Sequence, residues 1–513
     1  KEGGSVGLLA TNTISEGDTR EVGLDQLLKP SGDQPPVATA FRASKSVKWP
    51  SKSANLECAK VWIQKGQFLG AKHLEGEEVD TISPMLDAED GDRKPKSLEQ
   101  NARLAFIGSL VLGKGFVLEI EHAQRMLAAN PDFSAVLFPF LNGEDLNNEI
   151  DQQASRWVIN FHDWPLGRSG QRLPLSGAEV VEFVKKANPT RPDEWFPASH
   201  ERWEDHAQSV ESREKLQRQW LQMGAVPADY PGPVAADYAS ALKLIEELVL
   251  PERQKLGLKS DSSAKGYARH WWKYARRGQE LYGMIRPMRR CLVRTIVTQY
   301  HALAWQPTDQ VFAHRVVVFA SEQDAFLSAL QSSWHEVSAC KHILTMRVDL
   351  NYSPSDCFET FPLPELTEQM DESGRVFDEV RRAAMDARQI GLTEVSKLMH
   401  NPTMRDSDIV ALRQAVITND SAVSAAYGWE DLDLEHGFYD LGRGPRFIVS
   451  PAARKEMLRR LLAENHRRYA AAQAELAANP DAIKPKKGKA KRKPDSSQGT
   501  MFGDGELTDG TDS

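Results

Sequence analysis

The chain has 513 residues, 41% of them hydrophobic, and a formal net charge of −8. That length holds about three domains at ~150 residues each, with folded cores, and the acidic sum provides no global attraction to nucleic acid. No run approaches ~18 consecutive apolar residues and no signal-peptide pattern opens the chain, so neither a membrane span nor secretion is expected.

The opening residues read as strands and a helix. Val6–Thr11 is a short apolar run bounded by Gly4 and Asn12, and Thr19–Leu28 has helical spacing that ends at Lys29-Pro30. Val37–Arg42 and Ala54–Ile63 read as two more strands. Strand, helix, strand, strand without a glycine-rich start is the tail of an α/β domain, so residues 1–66 are expected to hold only its last strands. The first residue is Lys, which fits a boundary inside a longer protein. Residues 67–103 are acidic and poor in pattern, as a linker or insertion would be.

A second region begins near Leu104. FIGSLVLGKGFVLEIEHAQRML (106–127) is strand-like up to Gly113 and Gly115 and helical from Ile120 to Leu127. RWVINF (156–161) alternates as a strand does, and charged helical segments are expected over 201–222 and 235–249. Arg315–Phe319 is a β-branched run, followed by a helix over about 322–339. Residues 366–400 and 451–478 carry Arg and Leu at helical spacing. From 479 on, Lys, Pro, Gly and Asp dominate, the composition of a disordered tail.

Chemistry-bearing signals are few. Cys58, Cys291, Cys340 and Cys357 lack CxxC spacing, which argues against a zinc ribbon or disulfide framework and fits a reducing cytoplasm. The 13 histidines include no HExxH, and the close pair His335 and His342 lacks carboxylates at ligand spacing, so no metal site is expected. Thr11 and Asn12 end a strand at an edge where α/β sheets bind ligands. Trp49, followed by Pro50, could present a ring face to a base, although spacing alone favours a core or hinge tryptophan and a plain turn.

The strongest local charge lies in residues 265–301. Lys265, Arg269, Lys273, Arg276, Arg277, Arg286, Arg289, Arg290 and Arg294 stand against a single acid, Glu280, with Trp271, Trp272, Tyr274 and Tyr282 interleaved. Such a block suits phosphate neutralisation of double-stranded DNA; the competing reading is a solvated helix face with the aromatics in the core. In YSPSDCFETFPLP (352–364), Phe358, Phe361, Pro362 and Pro364 read as a structural plug. The tail adds a basic patch, KPKKGKAKRK (484–493). Gln498-Gly499-Thr500-Met501-Phe502 resembles the short Gln-x-x-Leu-Phe motif that docks on the bacterial sliding clamp.

Taken in order, GLLATNTISEGDTREVGLDQLL, KWPSKSANLECAKVWIQKG, FIGSLVLGKGFVL, FPFLNGEDLN, RWVINF and CFETFPLPE resemble the large adenine-N6 DNA methyltransferases, above all the MmeI-like restriction–modification and defence-system methylases, over about residues 1–450. The resemblance implies an α/β chain. A partial Rossmann-like methyltransferase sheet, last strands only (1–66), would be followed by a linker (67–103) and an α+β target recognition domain (104–365). A helical region (366–478) and a disordered tail (479–513) would complete it.

The resemblance also implies a prokaryotic cytoplasmic protein that methylates a specific adenine with S-adenosylmethionine and needs no metal. Trp49 with Pro50 would stack on the flipped adenine, and Thr11 and Asn12 would edge the base pocket. The family's Asn/Asp-Pro-Pro-aromatic loop and its glycine-rich cofactor loop are both absent; Asp33-Gln34-Pro35-Pro36-Val37 has the wrong order and no aromatic. This departure implies a chain inactive alone, with cofactor and catalytic loops on an upstream methylase half or a separate subunit. A fused restriction–modification enzyme that also cleaves DNA, and a non-enzymatic DNA-specificity subunit, remain open.

Overall fold

Alternation sets the first sheet. In strand β3 (Glu57–Lys65), Ala59, Val61 and Ile63 are buried, while Lys60, Trp62 and Gln64 between them are partly exposed. A computed structural model describes residues 3–15, 17–30, 35–48, 57–87, 95–169, 203, 210–258, 261–342, 345–346, 349–440 and 444–478. Trp49, Pro50, the 484–493 patch, Gln498–Phe502 and the whole expected tail lie outside them. Lys1–His466 form one compact unit; of the second, Arg467–Ser513, the described part is helical up to Ala478.

The first sheet has five strands in the order β1-β3-β2-β4-β5, with β1 at Ser5–Thr11, β2 at Ala38–Lys48, β4 at Lys72–Leu74 and β5 at Glu77–Val79. β3 lies antiparallel to both β1 and β2, so those two run the same way on either side of it. Two short helices, Gly17–Val22 and Leu24–Leu28, make the crossover between them. The second stops at Lys29, held extended (φ −101°, ψ 149°) by the following Pro30.

The acidic stretch after residue 66 is not the patternless linker expected from its composition. β4 pairs with β2, β5 pairs back on β4, and Ile82 and Leu86 join Leu24, Ala40, Ala43, Val61 and Ile63 in the core of this sheet. Glu75 and Gly76, both at positive φ, form the two-residue turn that a β4–β5 hairpin requires.

Two further four-stranded sheets carry the central region. Their strands are β6 (Ala105–Ile107), β7 (Val117–Glu119), β8 (Leu137–Leu141) and β9 (Arg156–Ile159), then, past the short pair β10 (Gly167–Arg168) and β11 (Ala225–Val226), β12 (Arg290–Thr295). After the small strand β13 (Val297–Thr298) come β14 (Ala304–Pro307), β15 (Val311–Phe312) and β16 (Val316–Phe319). One sheet runs β14-β12-β16-β6 and is antiparallel throughout; the other runs β15-β8-β9-β7, with β15 parallel to β8. The short link between β15 and β16 therefore ties one sheet to the other. Trp271, Trp272 and Tyr274 are buried with Trp220, Val158 and Phe161, so these aromatics of the basic block are core residues.

The helix expected over 322–339 is two helices, Asp324–Gln331 and Ser333–His342. The break is at Ser332, which is extended, and the Asp420 carboxylate caps the second helix by accepting from Ser333 N at 2.7 Å. The later helices Glu368–Arg388, Leu392–Met399 and Ser407–Tyr427 share one core with the central strands, Phe377, Met385 and Ile409 packing with Leu141, Val293 and Val318. Phe358 and Phe361 are fully buried, and Asn101 Nδ2 donates to both their carbonyls at 2.7 and 2.6 Å, so residues 352–364 do form a structural plug. Among the described residues the class is mixed α/β, with several sheets and no barrel. Among the described residues no helix is long and apolar enough to cross a membrane.

Candidate nucleic-acid interface

The basic block divides into buried and exposed members. Arg294 on β12 has no exposed surface: Nη1 bonds His301 Nδ1 at 2.8 Å, Nε donates to Thr295 O at 3.2 Å, and its guanidinium lies 4.0 Å from the Tyr352 ring centroid. His301 Nε2 and His335 Nδ1 meet Leu330 O at 2.6 and 3.0 Å, and Tyr352 Oη meets His335 Nε2 at 3.1 Å. Burial, then the Arg294 charge, holds the His335 imidazole down to about 3 and the His301 ring well below the ordinary range. This cluster is interior, and the expectation that Arg294 faces DNA is corrected: β12 is the middle of its sheet and turns that side chain into the core.

Lys273 is corrected for the same reason. It is buried beside Trp272, donates from Nζ to Asp163 O at 2.8 Å, and burial lowers its pKa to about 8. Arg277 is ion-paired with Asp163. Arg290 is held against the fold: its guanidinium sits 3.9 Å over the Trp305 ring and donates to Glu322 O at 2.7 Å and Asp324 at 3.0 Å. Arg269 is half-buried at the end of the helix Ser262–Arg269. Glu280 is thus not the only acid in reach: Asp163, Glu322 and Asp324 arrive from distant segments.

Lys265, Arg276, Arg286 and Arg289 remain exposed, and among the described residues none of their side chains has a hydrogen bond or ion pair. The fold adds residues that a count of local charge misses. Partial desolvation, then the Arg315 and Arg276 guanidiniums, lowers the pKa of His314, which places three basic side chains from two segments together. Burial lowers the pKa of His162, with Arg286 adding to the shift. The His162 ring meets Phe138 at 5.5 Å and Trp164 at 5.1 Å, and Trp164 stacks on Tyr238 at 5.7 Å. Exposed guanidiniums thus lie beside His314 and beside His162, whose ring neighbours are half-buried aromatics. The one local hint of His314 and Arg315 was a polar pair interrupting the apolar run Val311–Phe319, which marks a turn.

The other candidate lies on the first sheet. The register pairs Thr11 with Cys58, and Cys58 also with Val47; Lys48 pairs with Glu57. The C-terminal ends of β1 and β2 therefore lie at the same end of the sheet, with β3 between Thr11 and the strand that leads to residue 49. Thr11 Oγ1 bonds Thr13 Oγ1 at 2.7 Å, and Asn12–Ser15 form a single turn closed by Ser15 Oγ donating to Asn12 O at 2.9 Å.

No family model matches the chain, and no curated protein matches it. Among solved structures it is similar to MmeI, a type IIL restriction-modification enzyme whose structure was determined in complex with DNA. The TM-score is 0.54 at 14% sequence identity, covering 91% of this chain and 50% of that one. The likeness is one of fold, and this chain spans half the length of the chain it matches.

Proposed function

We propose that this chain is the DNA-recognising part of a site-specific adenine-N6 DNA methyltransferase of the restriction–modification type. The observation that carries the reading is a set of exposed guanidiniums without ion pairs among the described residues, Arg276 and Arg315 beside His314 and Arg286 beside His162, on a fold similar to that of an enzyme solved with DNA. Exposed guanidiniums grouped without counter-charges repel one another, and a polyanion removes that cost while releasing its own counterions.

The target adenine would leave the duplex, at a cost of roughly a few kcal/mol, so that its amino nitrogen can attack the cofactor methyl group directly. Trp49 would offset part of that cost by stacking, worth roughly 1–3 kcal/mol, with Pro50, Thr11 and Asn12 at the pocket edge. The parallel β1 and β2 on either side of an antiparallel β3 support reading residues 1–66 as closing strands of a methylase sheet. S-adenosylmethionine does not fit the residues present. The turn after β1 is the closed Asn12–Ser15 turn, with no glycine there to admit a cofactor against the backbone. Cofactor and catalytic loops are assigned to another segment or subunit, and no transfer step is derived through this chain. The restriction–modification neighbour also favours a second reading, a fused enzyme that cleaves as well as methylates.

The test is the affinity of the full chain for a fluorescent duplex between roughly 50 and 200 mM salt, with log Kd rising linearly against log salt at about 0.9 per phosphate neutralised. No affinity, or affinity indifferent to salt, would overturn the reading. In the complete enzyme, Trp49→Ala should lower methylation far more than DNA binding; wild-type activity would remove the stacking role.

A further inference from the structure

The link between β15 and β16 has a pinned backbone and two exposed side chains. Val316 N donates to Ala313 O at 3.1 Å, closing a turn whose central residues are His314 and Arg315. Ala313 N donates to Leu141 O at 2.9 Å, Ile296 N to Arg315 O at 2.8 Å, Gly108 N to Val316 O at 3.1 Å and Ser109 N to Phe312 O at 2.7 Å. A Cβ at Gly108 would run into the carbonyls of Phe312 and Ala313, so this approach requires glycine.

Arg276 belongs to the same frame. Leu110 and Arg276 exchange both backbone bonds, at 3.0 and 3.1 Å. A chain of side-chain bonds fixes the spacing: Phe312 N donates to Tyr282 Oη (3.1 Å), Tyr282 Oη bonds Ser109 Oγ (3.1 Å), and Ser109 Oγ donates to Arg277 O (3.2 Å). Around this backbone Phe312 and Val316 are fully buried, while Arg276, His314 and Arg315 are exposed. Among the described residues these three side chains have no hydrogen-bond or ion-pair partner. A rigid scaffold therefore holds two guanidiniums and an imidazole together and uses none of them internally.

We propose that the His314–Arg315 turn, with Arg276 beside it, is a base-reading element that recognises the guanine of a G·C pair in the major groove. The inference rests on the DNA-binding reading above and assigns its specificity. Arg315 presents a planar pair of donors, and the guanine edge is the base edge that offers two acceptors, O6 and N7, side by side. His314, held below the ordinary histidine range by desolvation and the two guanidiniums, supplies a neutral ring rather than another charge for phosphate. A rigid backbone fixes where the donors start and so limits which base edges they can reach, while side chains not used internally remain available to a base.

The experiment is selection of bound duplexes from a randomised pool by the full chain, followed by sequencing, together with the salt dependence of binding. The variants are Arg315→Ala and Arg315→Lys. Lysine keeps the charge but loses the fork. Wild type should enrich a motif containing a G·C pair. Both variants should lose roughly tenfold or more of the preference at that position and keep it elsewhere. Arg315→Lys should retain the wild-type salt slope and melting temperature. An unchanged motif in Arg315→Ala, or a wild-type motif in Arg315→Lys, would make Arg315 a phosphate contact and overturn the assignment. Salt-dependent binding by wild type without any motif would overturn this inference alone, whereas no binding at all would remove the DNA reading with it.

Discussion

Arg286 and Arg294 belong to one short basic stretch, yet the fold puts them to opposite uses. Arg294 points into the protein, stacked on Tyr352 and bonded to His301 and Thr295. Arg286 is exposed, and among the described residues its side chain has no hydrogen bond or ion pair. Elsewhere, Arg253, Arg381 and Arg413 repeat the first use, each buried and donating to backbone carbonyls such as Val111 O, Leu303 O and Met399 O. Arginine density therefore measures two things at once: clamps that hold loops and strands together, and surface charge available to a partner. Satisfied donors identify the first kind, and exposure without acids identifies the second.

Substitution can break or sharpen this division. The largest effect is expected for Arg294→Ala, which leaves a void against Tyr352 and strips the bonds to His301 and Thr295. Chemical denaturation should show a loss of about 3–4 kcal/mol, while Arg286→Ala should stay within about 0.5 kcal/mol of wild type. Equal losses would erase the distinction between the two arginines.

Acid should act on the buried histidine cluster. His301 and His335 are held neutral far below their unfolded pKa of ~6.5, so the unfolded chain binds more protons as pH falls below that value. The stability they contribute is complete above ~6.5 and declines as pH falls below it, for His335 at up to about 1.4 kcal/mol per pH unit down to about pH 3, with His301 acting in the same direction. Melting temperature should fall between pH 7 and pH 5, and His335→Gln should flatten the fall; an unaltered profile would mean that His335 does not titrate as described.

Among the internally bonded arginines, the smallest effect is expected at Arg290. Arg290→Ala removes the ring stacking on Trp305 and the bonds to Glu322 and Asp324 at a part-exposed site, for a loss of about 1 kcal/mol, with no change in the salt dependence of DNA binding. A flattened salt slope would move Arg290 to the exposed class.

How far these roles could be read in advance depends on the range of the interaction. The burial alternation of β3, the β-branched β16 and the helix Ile120–Ala129 follow from neighbours a few residues away, and the sequence pattern places them close to their observed bounds. The break at Ser332 does not, because its partner Asp420 belongs to a helix far along the chain. The same holds in the basic block. Glu280 is the one acid visible locally, whereas Asp163, Glu322 and Asp324, which engage Lys273, Arg277 and Arg290, come from other segments. The acidic stretch after residue 66 hid a hairpin and two core residues, Ile82 and Leu86, because its average composition outweighs its few apolar positions. His314 and Arg315 join Arg276 only through the backbone bonds around Gly108, Ser109 and Leu110.

The central claim is that the exposed cations, and not the buried ones, hold DNA. The most direct measurement is the log–log salt slope of duplex binding for Arg276→Ala/Arg286→Ala/Arg289→Ala against wild type. A slope reduced by roughly 2–3, at about 0.9 for each phosphate no longer neutralised, with an unchanged melting temperature, is the predicted result. A wild-type slope in that variant would contradict the claim and place the DNA-binding surface elsewhere.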